Sequence, residues 1–412
     1  MKTMFAALVL ACFGSAAAGA QPWFVEVTET NLPARGGLTH ATMDIGSVDL
    51  DGDGDLDLVL PQEWRTNRIL INDGRGRFTA RTDPFPALNA DELVRPENIQ
   101  NELQKDSEDV SIADFNGDGR LDLVMVVEDD IKFGRVNVHQ YYRGLPSGGF
   151  ERIYGQLPDT VANAVAHADI NGDGAPDLMI SGDAQDRLLI NDGRGGFRDQ
   201  TEARLPREAS VAQDVEFFDA DGDRDLDLVL GLEGGHALWL NDGQGVFTDV
   251  SKERLPAPGN VEARKVTPVD VDTDGDLDLY FAHVGWQGRA PQDRLYINDG
   301  AGRFSDGTAE RLPAEDRLSL DAKFADLDGD RDLDLVQGNA GSVRIFANDG
   351  RGHFSDVTAR ALGPSDVPGS SIAIELADFN GDGRVDIYVG QLANQNAPES
   401  YDRLFLNTRR RR

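Results

Sequence analysis

Residues 49–60 read DLDGDGDLDLVL: five aspartates in nine positions, running straight into an apolar stretch. Carboxylates this dense repel one another, so a folded chain keeps them together only if something neutralises them. The pattern returns with first aspartates at Asp114, Asp169, Asp219, Asp270, Asp326 and Asp378, at spacings of 65, 55, 50, 51, 56 and 52 residues. Seven copies at a near-constant period point to a repeat architecture, since an enzyme rarely needs one site seven times.

A second motif follows each aspartate loop. It reads RILINDGRGRF at 68–78, RLLINDGRGGF at 187–197, ALWLNDGQGVF at 237–247, RLYINDGAGRF at 294–304 and RIFANDGRGHF at 344–354. In the second unit it decays to VHQYYRGLPSGGF, ending at Phe150, and in the last it stops at RLFLN, ending at Asn407. The runs after the aspartates (DLVL, DLMI, DLYF, DIYV) have strand length and strand composition. Asn-Asp-Gly between two such runs is a tight hairpin, because these residues accept positive φ cheaply. Before the loops, polar and apolar residues alternate, as in Asp214, Val215, Glu216 and Phe217. No stretch of the repeat keeps a helical period.

One unit is therefore four short strands, and the fold class expected is all-β: a seven-bladed β-propeller of four-stranded blades. The seventh unit lacks a fourth strand. FVEVTETNLP at 24–33 supplies one, so the N-terminal strand is expected to complete the last blade and close the ring. The widest gap contains residues 87–109, read as an inserted loop with a helical turn or two.

Counting each loop from its first aspartate, positions 1, 3, 5 and 9 are always Asp or Asn. They are Asp49, Asp51, Asp53 and Asp57; Asp114, Asn116, Asp118 and Asp122; and Asp169, Asn171, Asp173 and Asp177. The fourth and fifth loops supply Asp219, Asp221, Asp223 and Asp227, then Asp270, Asp272, Asp274 and Asp278. The sixth and seventh supply Asp326, Asp328, Asp330 and Asp334, then Asp378, Asn380, Asp382 and Asp386. Hard oxygen ligands without His or Cys select a hard cation, and calcium accepts six to eight of them, including a main-chain carbonyl at position 7. That carbonyl would come from Asp55, Arg120, Ala175, Asp225, Asp276, Asp332 or Arg384. The position-7 side chain varies freely, as expected where only the backbone binds. Up to seven structural Ca2+ ions are expected, and folding coupled to them. Position 6 is Gly for the sharp turn except at Arg224 and Arg331, so the fourth and sixth sites are expected to form less ideally.

The chain has 412 residues, 73 acidic against 40 basic, for a formal charge of −33. Nucleic acid and anionic membranes are therefore excluded as natural partners. Residues 1–20, MKTMFAALVLACFGSAAAGA, read as a secretory signal with cleavage after Ala20; a buried N-terminal strand or helix is the alternative. The only cysteine, Cys12, lies in this segment, and Val9-Leu10-Ala11-Cys12 faintly resembles a lipoprotein box. A mature, secreted chain would have no disulfide, leaving metal to staple it. No later segment is apolar and long enough to span a bilayer. Residues 21–408 are expected to form one domain, a monomer, with 409–412 a basic tail.

The repeats resemble the FG-GAP/VCBS family, in which D-x-D/N-x-D-G-x-x-D loops bind calcium in propeller blades, as in integrin α-subunit heads. DRLYINDGAGRFSDGT (293–308) is similar to the tail unit of bacterial secreted VCBS-repeat proteins. The resemblance covers about 24–407 and implies fold and calcium; for activity it leaves adhesion, structural and polysaccharide-lyase members open. Two departures stand out: position 6 of the fourth and sixth loops, and the decayed turn of the second unit.

Function is sought on the loops that do not repeat: 61–67, 128–135, 283–293, 391–402 and 87–109, with Trp64 and Trp286 either exposed there or packed against neighbouring loops. Asp44, Asp109, Asp214, Glu216, Lys265, Asp321, Lys323 and Glu375 precede the loops and are placed at a central channel, where salt bridging and solvation are favoured over a ligand site. His40, His139, His167, His236, His283 and His353 form no spaced metal set, and no G-x-S-x-G, H-E-x-x-H or P-loop occurs. No catalytic residue is assigned. The leading reading is a binding or adhesion module for a protein or glycan partner; a calcium-dependent polysaccharide lyase and a purely structural surface protein are the alternatives.

Overall fold

The computed structural model describes residues 21–34, 41–87, 105–183, 185–207, 211–259, 261–285, 291–314, 317–363, 369–393 and 400–409. The expected leader with Cys12, and His40, Trp286 and 410–412, lie outside the described residues.

Seven antiparallel sheets form a ring of blades. Blade 1 is built from Gly46–Val48, Asp57–Leu60, Arg68–Asn72 and Phe78–Ala80. Blade 4 repeats it with longer strands, Ala212–Phe218, Asp227–Leu232, Gly235–Asn241 and Phe247–Asp249. The second strand of each blade, the one entered through the position-9 aspartate, is buried almost throughout; in blade 4 it reads DLVLGL with every residue buried. A strand covered on both faces loses the polar alternation and becomes continuously apolar, which is why the runs after the aspartates carry no charge. The core lies between blades: Ile170, Met179 and Leu188 of one blade pack on Leu228, Leu230 and Trp239 of the next.

The ring closes as expected. Phe24–Glu26 pairs with Arg403–Asn407, matching Phe24 to Asn407 and Glu26 to Phe405, so the seventh blade has strands from both ends of the chain. Main-chain hydrogen bonds and Phe24 burial there do what a disulfide does elsewhere.

Three local expectations are corrected. Residues 105–109, assigned to an inserted loop, are the first half of strand Lys105–Ala113, the innermost strand of blade 2; 88–104 lie outside the described residues. Within 61–67, Glu63–Arg65 forms a fifth strand on blade 2, antiparallel to Lys105–Ala113. Three residues are too few for periodicity to reveal. Single-turn helices follow the outer strands, at Thr28–Asn31, Thr201–Arg204, Ser251–Arg254, Thr308–Arg311 and Thr358–Ala361. At four residues each, they carry no 3.6 period.

The antiparallel order fixes two faces. The aspartate loops join the first and second strands and the Asn-Asp-Gly turns join the third and fourth, so both lie on one face. The connections from second to third strand, including 61–67 and 128–135, lie on the other.

Candidate metal centres and the opposite loop face

Each aspartate loop is organised by its first carboxylate. Asp49 accepts from the amides of Gly52 (2.8 Å) and Gly54 (3.0 Å), and Asp219 does the same with Gly222 (2.8 Å) and Arg224 (3.0 Å). Where position 3 is Asn, the amide of position 5 replaces that of position 4, as in Asp118 and Asp173 bonding to Asp114 and Asp169 at 3.0 Å. Asn116 and Asn171 then donate to the position-9 carboxylates Asp122 and Asp177. An aspartate at position 3 cannot donate; Asp272 and Asp328 each pair through Oδ2 with an arginine instead, Arg311 at 3.1 Å and Arg409 at 2.5 Å. Three acidic oxygens from Asp49, Asp51 and Asp53 lie within 4.8 Å of one another, as do those from Asp219, Asp221 and Asp227, Asp270, Asp272 and Asp274, and Asp326, Asp328 and Asp334.

The position-9 aspartate is the fixed wall of each site. Asp227 is 1% exposed and accepts from Asn241 N at 2.8 Å and Ala220 N at 2.9 Å. Burial pushes its carboxyl up to about 7, against those two hydrogen bonds; Asp278, Asp334 and Asp386 are likewise raised to about 7, and Asp122 and Asp177 to about 6. Burial also raises Asp57. A nearby cation would reverse that penalty.

The residues fit a hard cation by one further observation: Asp221 Oδ1, Asp270 Oδ1, Asp272 Oδ1 and Asp328 Oδ1 are buried without a hydrogen-bond donor. Carboxylate oxygens are not left so unless something else satisfies them.

The backbone sharpens the turn analysis. Arg224 (φ 77°) and Arg331 (φ 81°) do adopt the left-handed conformation that position 6 requires. Position 4 has the same requirement, unnoticed in sequence because it is otherwise Gly; in the fifth loop Thr273 meets it at φ 62°.

The Asn of each Asn-Asp-Gly turn is also a missed structural residue. Asn241 Nδ2 donates to Leu226 O of its own loop (3.1 Å) and to Ile170 O of the preceding blade (2.9 Å). Asn298, Asn348 and Asn407 reach Ala220 O, Val271 O and Leu327 O of their preceding blades in the same way. The recurrence of Asn at this position was the available signal.

At the channel, the inner-strand acids do more than solvate. Asp109 accepts from Val165 N at 2.8 Å, Asp214 from Val266 N at 2.8 Å and Asp321 from Ile374 N at 2.6 Å, each reaching the next blade. Lys265 pairs with Asp214 at 3.1 Å, as the salt-bridge reading expected. Two histidines remote in sequence also meet: His236 Nε2 lies 2.9 Å from His283 Nε2, both rings buried and stacked. Burial holds both below the ordinary histidine range, so the pair is a neutral inter-blade hydrogen bond.

On the opposite face, blades 1 and 2 enclose a cleft of about 460 Å³ lined by Arg65, Arg68, Arg81, Lys105, Phe85 and Tyr142. Four basic side chains gather here in a strongly acidic protein. Lys105 is held by Asp130 at 3.3 Å and Tyr142 donates to Gln140 at 2.8 Å. Trp64 is half-buried in the added strand, with φ 51°.

A seven-bladed ring with this acidic loop in every blade defines a repeat-built β-propeller. The FG-GAP-like repeat family model matches residues 49–125, 169–230, 219–281 and 326–389, more than half of the chain, and the protein belongs to that family. No curated protein matches it in sequence. Among solved structures it is similar to an Agrocybe aegerita lectin that recognises non-reducing terminal N-acetylglucosamine, at 18% identity and TM-score 0.50, covering 81% of this chain and 85% of that one. It is similar also to BBS1N in complex with ARL6DN, at 9% identity and TM-score 0.57, covering 94% and 98%. The extracellular domain of the putative one-component system BT4673 from B. thetaiotaomicron matches at 14% identity and TM-score 0.50, over 93% of this chain but 39% of that one. At these identities the likeness is one of fold. Among the described residues, no helix is long and apolar enough to cross a membrane.

Proposed function

We propose that this is a secreted, monomeric propeller whose aspartate loops bind structural calcium and whose opposite face binds a protein or glycan partner. The observation that carries the binding reading is the basic cleft between blades 1 and 2. It is lined by 65–67, part of a loop that does not repeat, and by residues of 80–87, and it gathers basic side chains in a strongly acidic chain. Its volume suits one or two sugar rings or a side-chain cluster. Arg65 and Arg68 select an acidic ligand, and Phe85 offers an apolar face. Similar propellers that recognise a sugar or a protein partner support a binding role without naming the ligand.

A calcium-dependent lyase is the second reading because Arg65 and Arg68, a residue type that can serve as base, line the same cleft. A glycan array probed with and without calcium tests both. Retention of acidic glycans, lost in Arg65→Glu, supports the binding module. Unsaturated product from a retained glycan converts it to the lyase. No retention of glycan or protein leaves the structural surface protein.

A further inference from the structure

Blade 2 carries an added fifth strand, and that strand lies beside a second group of acids far from the repeated loops. Asp106 and Glu108 lie near the start of strand Lys105–Ala113, and Glu128 follows the end of Asp122–Val127, so all three sit on the face away from the aspartate loops. Glu63, on the added strand, is paired in register with Asp106. One carboxylate oxygen from each of Asp106, Glu108 and Glu128 lies within 4.8 Å of the other two.

Acids alone do not make a site, and the telling group is Asp106. It is 2% exposed. Its Oδ2 accepts from Asp129 N at 3.3 Å, whereas Oδ1 is buried with no hydrogen-bond partner. A carboxylate oxygen sealed from water and without a donor is normally satisfied by something. Arg264 does not do it: it attracts Glu63, Glu108 and Glu128, but its Nη1 donates to Gln213 Oε1 at 2.6 Å. Lys105 is turned to Asp130.

We propose that Asp106, Glu108 and Glu128, with Glu63 at the edge, form an additional binding site for a hard divalent cation, separate from the repeated loops. The donors are all carboxylate oxygens, which suit calcium or manganese rather than zinc or copper. Burial and mutual repulsion push Asp106 up to about 9 and Glu108 to about 8, the penalty a bound cation would relieve. No loop of the repeat contributes a ligand, and among the described residues no other blade has the added strand.

The test counts ions. The full chain and the double variant Asp106→Asn/Glu108→Gln are dialysed against calcium and the bound metal is measured per protein. One ion fewer in the variant, with an unchanged melting temperature in excess chelator, supports the site; an equal count overturns it. Asp49→Asn serves as a control for loss at a repeated loop, and the two losses should add. Should the double variant fail to fold, wild-type crystals soaked in manganese give the answer: an anomalous peak between Asp106, Glu108 and Glu128 supports the site, and its absence with peaks present at the aspartate loops overturns it.

Discussion

Asn72 and Phe379 stand 307 positions apart, and the Asn72 side-chain amide donates to the Phe379 carbonyl at 2.9 Å. The same amide group bonds Leu56 O at 3.1 Å, so one side chain joins two aspartate loops in neighbouring blades across the closure of the ring. Asn72→Ala leaves two carbonyls short of a donor. The expected loss is about 1–3 kcal/mol of unfolding free energy, read from denaturant melts. The equivalent changes at Asn191 and Asn241 should cost a similar amount, because the geometry repeats.

Calcium removal should be felt by every blade. The loops gather acids around oxygens that lack donors, as at Asp221 and Asp272, and a bound cation would offset their repulsion. Calorimetry with excess chelator is expected to show a large fall in melting temperature, restored by calcium. An unchanged trace would remove structural calcium from this account.

Arg224→Gly and Arg331→Gly should each stabilise the protein by about 1 kcal/mol, since a side chain at φ 77° or 81° is strained and glycine is not. Thr273→Gly should gain at least as much, because a β-branched residue tolerates φ 62° less well than arginine does. Thermal melts in saturating calcium read all three. Calcium titrations of Arg224→Gly and Arg331→Gly also test whether the fourth and sixth sites are the weaker ones.

Glu375 gives the protein a pH dependence of defined sign. Burial in the channel wall raises its carboxyl to about 7, although Lys323 opposes the rise, from an ordinary 4.5. The folded state therefore holds the proton more tightly than the unfolded state. Stability contributed by the protonated form is full below pH 4.5 and is lost as pH rises through 7. The slope from one such group is at most about 1.4 kcal/mol per pH unit. Glu375→Gln should flatten stability against pH across that window, measured by urea melts at pH 5, 6, 7 and 8.

The period of the aspartate loops made the blades, their number and the ring closure by Phe24–Glu26 legible, because each is a property of repetition. What repetition could not show was what differs or what touches across blades. Thr273 hid the left-handed requirement at position 4, since glycine elsewhere leaves no mark of strain. Glu63–Arg65 was too short to read as a strand, and so the approach of Glu63 to Asp106 was invisible. His236 and His283 meet only because adjacent blades align them. Spacing alone names the candidate metal ligands; the donorless oxygens that argue for an ion exist only once the loops are folded.

The decayed turn of the second unit has a physical cause that makes a last prediction. Gly144 occupies the place of the inter-blade Asn, and a Cβ added there would lie 2.4 Å from Leu121 O, a main-chain atom that cannot swing away. The strand approaches its own loop too closely for any side chain, and Gly144 O instead accepts from Arg120 Nε at 3.1 Å. Gly144→Ala is expected to destabilise by about 1–3 kcal/mol, the usual range for overpacking, and Gly144→Asn by at least as much, even though asparagine is the residue found at this place in other blades. The seam between blades 1 and 2 therefore lacks this inter-blade hydrogen bond, and a cleft of about 700 Å³ opens there between Asp49, Leu50, Arg120 and Gly149. Amide exchange should find the hairpin Gln140–Ile153 less protected than Arg294–Asp306, its counterpart in blade 5. Equal protection would show that the remaining contacts of this seam, such as Arg81 with the Gly148 carbonyl, fully replace the missing asparagine.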